Sequence, residues 1–327
     1  MRRVTVALPP TVLLVSLWAG WAAAGTLEQN EALAWLQKIA NAARQLNYSG
    51  TFVYQHGDQS ETSRITHYVD RTGEYEKLVT LDGPRREIVR NNDEILSFDA
   101  DHKVVRRERR APRKMFPALL PEQLSSLTDY YQLRKAEQER IAGFDCQALV
   151  LEPRDQFRYG HKLWADTATG LLLKARMLDE HSHVVEQFVF TQLTIGDAVT
   201  KDAVAPSVKA GTPGWRWDAV EADAGPAETG WSVGVQPAGF RKIMEMKRSR
   251  TGSQARVAHL VYSDGLAAVS VFIEPLSTAR TYQEGLAHQG AVNIYTRRLS
   301  DQLVTVLGEA PAATVMQMAN SVGPKSQ

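Results

Sequence analysis

Residues that carry chemistry are scarce in this sequence. One cysteine, Cys146, stands among 327 residues, which excludes an intramolecular disulfide and any cysteine-based metal cluster. The eight histidines never form HExxH, and the sequence holds no GxSxG elbow, no SxxK at a helix start, no GxxxxGK[ST] and no GxGxxG. An enzyme is therefore not expected, and neither is a cofactor. Charge of one sign is not in excess: 38 Lys+Arg face 37 Asp+Glu, so the surface as a whole does not point to nucleic acid. Beyond the N-terminus no run reaches 18 apolar residues, which excludes a membrane span there. With 22 glycines and 14 prolines, the chain is neither collagen-like nor wholly disordered. What remains is globular composition, 43% hydrophobic, sufficient for the cores of about two domains.

The first residues read as a leader. Arg2 and Arg3 precede an apolar stretch from Val4 to Trp18, broken by Pro9–Pro10 and ended by Ala22–Ala23–Ala24. A positive flank, a short apolar core and a small-residue end form a secretory signal, with cleavage expected after Ala24. No cysteine follows to take a lipid anchor, so a soluble, exported mature chain is expected. In an oxidising compartment the lone Cys146 must be shielded, and its apolar neighbours make it a core residue.

After the leader, Glu28–Leu46 has the period of an amphipathic helix, with Leu33, Leu36, Ala40 and Ala43 on one stripe. Short segments of period two follow, separated by turns such as Asp70–Gly73 and Asn91–Asp93. These turns leave no room for crossover helices, so the sheet is antiparallel. The prolines at 112, 117 and 121 make the stretch 103–127 irregular. Nine or ten strands up to residue 200 must curl to bury their faces, giving a half-open barrel around helical segments. Residues 201–230 have linker composition, yet carry Trp215 and Trp217. A smaller antiparallel α+β unit is expected over 231–322. It closes on a helix, Pro311–Asn320, that places Val315, Met316 and Ala319 on one face, and a frayed tail follows at 323–327. The fold class is thus mostly β with α+β character.

Two basic clusters stand out. The first contains Arg106, Arg107, Arg109, Arg110, Arg113 and Lys114; the second contains Arg241, Lys242, Lys247, Arg248 and Arg250. In an exported protein such clusters suit anionic lipid or an acidic polypeptide, or they merely solvate a strand. Alternation along a strand allows only a subset of each to share one surface. His181 and His183 form an HxH pair, but in a polar hairpin turn the plain structural reading is preferred, and no metal site is expected.

Several longer stretches carry a resemblance. Tyr48–Tyr54, Arg85–Arg90, Arg154–Gly160 and Thr169–Lys174 in the first unit, with Tyr262–Leu266, Ser270–Leu276 and Val304–Pro311 in the second, resemble the MucB/RseB family. The resemblance implies a LolA/LolB-like N-terminal domain with an apolar cavity and a smaller C-terminal domain. It implies a periplasmic regulator that binds the periplasmic part of a membrane-spanning anti-sigma factor and shields it from site-1 proteolysis. Lipopolysaccharide or another acylated lipid would then displace it, restraining or releasing the envelope-stress sigma factor. With the strand count, the resemblance nominates Phe52, Tyr54, Ile65, Val79, Leu96, Phe98, Leu163, Leu173, Phe188 and Phe190 as cavity residues. The cluster Arg106–Lys114 is assigned to anionic lipid and the cluster Arg241–Arg250 to the anti-sigma partner. A homodimer is possible on this reading. The alternative is a lipid or lipoprotein carrier of the LolA type, which has no need of residues 231–322.

Overall fold

The computed structural model describes residues 19–109, 116–121, 124–219, 227–249, 256–276 and 282–325. The expected leader falls mostly outside these. Helix α1 (Ala19–Gln45) starts before the predicted Glu28. Ala32, Leu36, Ile39, Ala40 and Ala43 recur every three or four residues and are all buried, as one stripe facing a sheet requires. Among the described residues no helix is long and apolar enough to cross a membrane.

Eleven strands follow in the chain: β1 (Tyr48–His56), β2 (Gln59–Asp70), β3 (Gly73–Thr80), β4 (Arg86–Asn91), β5 (Glu94–Asp99), β6 (Val104–Arg109), β7 (Tyr131–Ile141), β8 (Phe144–Pro153), β9 (Gly160–Asp166), β10 (Leu172–Leu178) and β11 (Val184–Ile195). A one-turn helix, α2 (Leu127–Tyr130), leads into β7. The turns are built by the residues that favour them. Thr72 donates from backbone and hydroxyl to Asp70 Oδ1, and Thr169 does the same to Asp166 Oδ2. With β12 (Arg216–Ala219) these strands form one sheet in the order β12-β6-β5-β4-β3-β2-β1-β11-β10-β9-β8-β7. Every pair is antiparallel, as expected, except the parallel pair β6–β12. Helix α1 lies across β7 and β10 on the concave side.

The second unit is a six-stranded sheet of β14 (Arg241–Ser249), β15 (Arg256–Ser263), β16 (Ala268–Pro275), β19 (Gln302–Gly308), β18 (Val292–Leu299) and β17 (Gly285–Gln289), in that spatial order. Helix α3 (Ala312–Asn320) packs on β18 and β19. A short pair, β13 (Trp231–Val233) with β20 (Val322–Pro324), closes the unit.

Five expectations need correction. The stretch 103–127 is not irregular throughout, because its first residues form β6, paired with β5 and β12. The segment 201–219 is not a bare linker: Val204 is buried, β12 extends the first sheet, and Trp215 and Trp217 pack against Val89, Phe98 and Val105. Two indoles are too much apolar surface to leave in water. The tail does not fray at 323, because Val322–Pro324 pairs with β13 and Lys325 N donates to Gly230 O. Strand β17 was not anticipated, since none of its residues is buried and it offers no apolar alternation. On α3 the buried residues are Val315, Met318 and Ala319, while Met316 points out. Residues 315 and 316 lie about 100° apart on a helix, so 318 fits the stripe better.

Candidate functional site

Strand register sorts the ten nominated cavity residues onto two faces. On β1, Phe52 pairs with Phe190 and Tyr54 with Phe188 of β11. Ile65 pairs with Leu78, and Leu163 with Ala175, which in turn pairs with Phe188. Phe52, Ile65, Leu163, Leu173 and Phe190 are buried in one cluster with α1, and Tyr54 and Phe188 pack half-buried against it. The remaining three are a correction. Val79 pairs with Arg64 and Glu87, Glu87 with Phe98, and Val89 with Leu96. Val79, Leu96 and Phe98 therefore point to the reverse face, where Leu96 and Phe98 meet Trp215 and Trp217. Side chains alternate, so a choice of register one residue off moves a whole strand to the other side.

The concave cluster is aromatic. Phe52 and Phe190 centroids are 6.0 Å apart, and Tyr54 stacks on Phe188 at 4.5 Å. Phe116, from the proline-rich excursion, enters this group: it stacks on Phe188 at 5.3 Å and lies 4.9 Å from Phe190 and 5.4 Å from Phe52. Nothing in the local pattern around residue 116 foretold this, because the excursion has no periodicity. Gly50 is required beneath the group, since a Cβ there would lie 2.6 Å from the Phe190 ring and from Gln192 O. At the margin, Tyr54 donates to Glu186 Oε2 at 2.9 Å. Burial pushes the Glu186 carboxyl up to about 7, helped by the negative charge of Glu309 from the second unit.

The two units meet around Arg158. Its guanidinium, with no solvent exposure, donates to Asp155 Oδ1 at 3.0 Å, to Asp264 Oδ2 at 3.2 Å and to Ala238 O at 2.6 Å. The rings of Tyr130, Tyr131 and Phe240 surround it at 4.7, 5.8 and 5.5 Å. Asp264, also fully buried, accepts at its other oxygen from the backbone of Leu266 and Ala267. Such saturation is what makes a buried ion pair tolerable. Nearby, Asn293 donates to Tyr159 Oη at 2.9 Å and Thr314 Oγ1 to Phe157 O at 2.6 Å. Gly239 sits so close to Tyr130 that a Cβ would come within 2.5 Å of its ring. Two of the stretches that carried the resemblance, Arg154–Gly160 and Tyr262–Leu266, thus face each other here.

The basic clusters are less unified than their sequence spacing. Arg106 pairs with Ser97 and Arg107 with Leu96, so they project to opposite faces, and Arg107 is ion-paired with Glu94. Arg110, Arg113 and Lys114 lie outside the described residues, as does the side chain of Arg109. On the edge strand β14, Arg241 and Lys242 are exposed, and Lys247 is half-buried. The Arg248 side chain and all of Arg250 lie outside the described residues. Lys242 is bonded to Glu245, beside an open hollow of about 330 Å³ lined also by Ala227, Glu228, Ile243 and Met244. Burial opposes ionisation of Glu245, yet hydrogen bonds from Lys242, Thr229 and Lys325 hold its carboxyl down to about 2. Cys146 is buried, and burial pushes its thiol up to about 12, which suits a core residue and not a nucleophile.

Family models match both units. The MucB/RseB N-terminal domain model matches residues 31–208 and the MucB/RseB C-terminal domain model matches residues 225–323. The chain belongs to the MucB/RseB family. Among its relatives, the sigma factor AlgU regulatory protein MucB of Pseudomonas aeruginosa is 33% identical over 323 residues, covering 97% of this chain and 98% of that one. The sigma-E factor regulatory protein RseB of Escherichia coli K12 is 25% identical, covering 88% and 89%. The solved complex of P. aeruginosa MucA and MucB is similar with a TM-score of 0.72 and 32% identity, over 91% of this chain and all of that one. A crystal structure of MucB in complex with MucA(peri) matches with a TM-score of 0.71, 32% identity and 90% coverage. Within a MucB/RseB chain, the Arg158 junction joins the parts covered by the two family models.

Proposed function

We propose that this protein is a periplasmic regulator that binds the periplasmic segment of a membrane-spanning anti-sigma factor. Bound there, it shields that segment from site-1 proteolysis and so restrains the envelope-stress sigma factor. The observation that carries this reading is similarity along the whole chain to MucB, a sigma factor regulatory protein whose structures with MucA are solved. Protection by steric cover needs no catalytic group, in keeping with the sparse chemistry of the sequence. We propose further that an acylated lipid such as lipopolysaccharide is the releasing signal and that its chains enter the concave aromatic group. What supports this reading is that seven nominated residues gather there, packed against Phe116. The proposed functional units are 25–200 and 231–322, with residues of 201–219 packed on the first sheet. Similarity across both units supports the regulator over a one-domain lipid carrier.

The test is titration of the purified mature chain with the periplasmic segment of its genomic anti-sigma partner, alone and with lipopolysaccharide. A complex weakened by lipopolysaccharide is expected. Failure to bind the segment sinks the regulatory reading, whereas binding that ignores lipopolysaccharide removes only the lipid signal. Reversing Lys247 and Arg248 together is expected to weaken the protein complex at least about tenfold, or about 1.4 kcal/mol. Reversing Arg109 and Arg110 should lower lipid binding instead, and equal losses from both pairs would merge the two surfaces into one.

A further inference from the structure

The turn between β10 and β11 brings three ligand-type side chains together. One ligand atom each from Asp179, His181 and His183 lies within 4.8 Å of the other two. The carboxylate is held in place by the turn: Asp179 Oδ1 accepts from the backbone N–H of His181 at 2.9 Å and of His183 at 2.8 Å. That leaves Oδ2, which lies 3.2 Å from His183 Nδ1. The turn is closed by Asp179 N donating to His183 O at 3.0 Å, with Ser182 in the left-handed region at φ +64°. The two imidazoles lie nearly parallel, 5.8 Å apart and 21° from coplanar, and both are largely exposed. Glu180 adds a second carboxylate, its Oε1 3.8 Å from His181 Nδ1.

We propose that this turn binds one zinc-class divalent transition-metal ion through Asp179 Oδ2, His183 Nδ1 and a ring nitrogen of His181. Around a tetrahedral zinc with bonds near 2.0–2.1 Å, neighbouring ligand atoms stand roughly 3.4 Å apart. The Asp179–His183 pair already has that spacing, and an exposed His181 ring closes the rest by rotation. Backbone hydrogen bonds to the far oxygen orient the carboxylate, the arrangement that stabilises a ligating oxygen from the second layer. Two imidazole nitrogens favour zinc or copper over magnesium or calcium, which take oxygen ligands. Water or Glu180 completes the set. The place of the turn gives such an ion a consequence. Burial raises the Tyr159 hydroxyl pKa, the hydrogen bond with Asn293 lowers it, and the charges of Glu180 and Asp179 raise it, so the turn is felt electrostatically at the Tyr159–Asn293 contact across the two units. A cation there would offset the negative charge felt at Tyr159. The competing account is that Asp179 only pins the turn, and that account predicts no zinc binding.

The experiment is calorimetric titration of the full mature chain with Zn²⁺ in chelator-free buffer. One equivalent is expected to bind. The double variant His181→Ala/His183→Ala should lose at least about tenfold in affinity. Both rings are exposed, so circular dichroism should confirm an unchanged fold. Asp179→Asn keeps an oxygen for the two backbone donors but removes the charge, and it too should bind more weakly. A wild-type chain that takes up no Zn²⁺ overturns the proposal. So does uptake that is undiminished in the double variant, which would send the ion to other residues. Co²⁺ absorption provides the second readout: a tetrahedral spectrum lost on His183→Ala supports the site, and an unchanged spectrum overturns it.

Discussion

On its concave side the twelve-stranded sheet receives Phe116 from the proline-rich excursion, whereas on its reverse side Trp215 and Trp217 arrive on or beside a paired strand. The clusters draw on different strands: β1–β3 and β7–β11 supply the first, and β4–β6 with β12 supply the second. The covers differ in how they are held. β12 is hydrogen-bonded in parallel to β6 from Arg216 to Ala219, and Ser207 is fixed to Glu87 by its backbone N–H and hydroxyl. Among the described residues, Phe116–Pro121 form no strand, and Phe116 meets the rings of Phe52, Phe188 and Phe190. A strand-anchored cover completes a core. A ring inserted from an irregular segment fills a space that another apolar group could fill.

The largest effect should come from truncating one ring on each face. Phe98→Ala and Phe116→Ala each remove a buried phenyl and should cost about 3–5 kcal/mol, measured by denaturant unfolding. The two variants should part company when a fatty acid is added. The hole left by Phe116 opens onto the concave face, so a bound chain should restore stability by about 2.7 kcal/mol at a hundredfold excess over its dissociation constant. No such rescue is expected for Phe98→Ala, whose hole is closed by the indoles. Rescue of both variants, or of neither, would break the distinction between the covers.

Much of this was legible in the sequence, and the illegible part has a physical cause. Consecutive strands with short turns announced the antiparallel sheet, and the stripe Leu36–Ala40–Ala43 announced α1. Periodicity identified Leu96 and Phe98 as sharing an apolar face of their strand. It could not say which side that face takes, because each side of the sheet carries a covered apolar cluster. Arg158 and Asp264 lay within stretches that carried the family resemblance, but an ion pair between residues 106 apart leaves no local signature. The turn residues Asp179, His181 and His183 were visible as HxH. The hydrogen bonds that orient Asp179 were not.

An intermediate effect concerns pH and sharpens the account of the concave margin. Glu186 is pushed up from 4.5 to about 7, so the folded chain's preference for its protonated form favours folding in full below pH 4.5, and that contribution is lost as pH rises through 7. His161, on β9 beside Tyr131, is pushed by burial from 6.5 down to about 4, which acts in the opposite sense. Its contribution is present above pH 6.5 and is lost as pH falls through 4. Between about pH 4.5 and 6.5 the two slopes oppose each other, and the native chain should show a shallow profile. Glu186→Gln should leave stability rising with pH across that window, and His161→Gln should leave it falling. Each change should be roughly 1–3 kcal/mol in thermal unfolding at several pH values. A profile that neither substitution tilts would mean that neither group titrates from a buried position.

The smallest expected effect falls on Val79, which tests the division of faces with little disturbance of the core. Val79 stands on the reverse side between Arg64 and Glu87 and belongs to neither aromatic cluster. A lysine at this half-exposed position can extend into water and gains Glu87 opposite while meeting Arg64 on the other side. The net change in stability should stay within about 0.5 kcal/mol, as for most surface substitutions. Fatty-acid binding, followed by displacement of a fluorescent probe, should be unaltered in Val79→Lys. Phe188→Lys, by contrast, puts an ammonium group among Phe52, Phe116 and Tyr54 and should abolish binding. If Val79→Lys removed probe binding while the chain stayed folded, the acyl chain would have to lie on the reverse face. The indoles of Trp215 and Trp217 would then be the removable cover and Phe116 the permanent one.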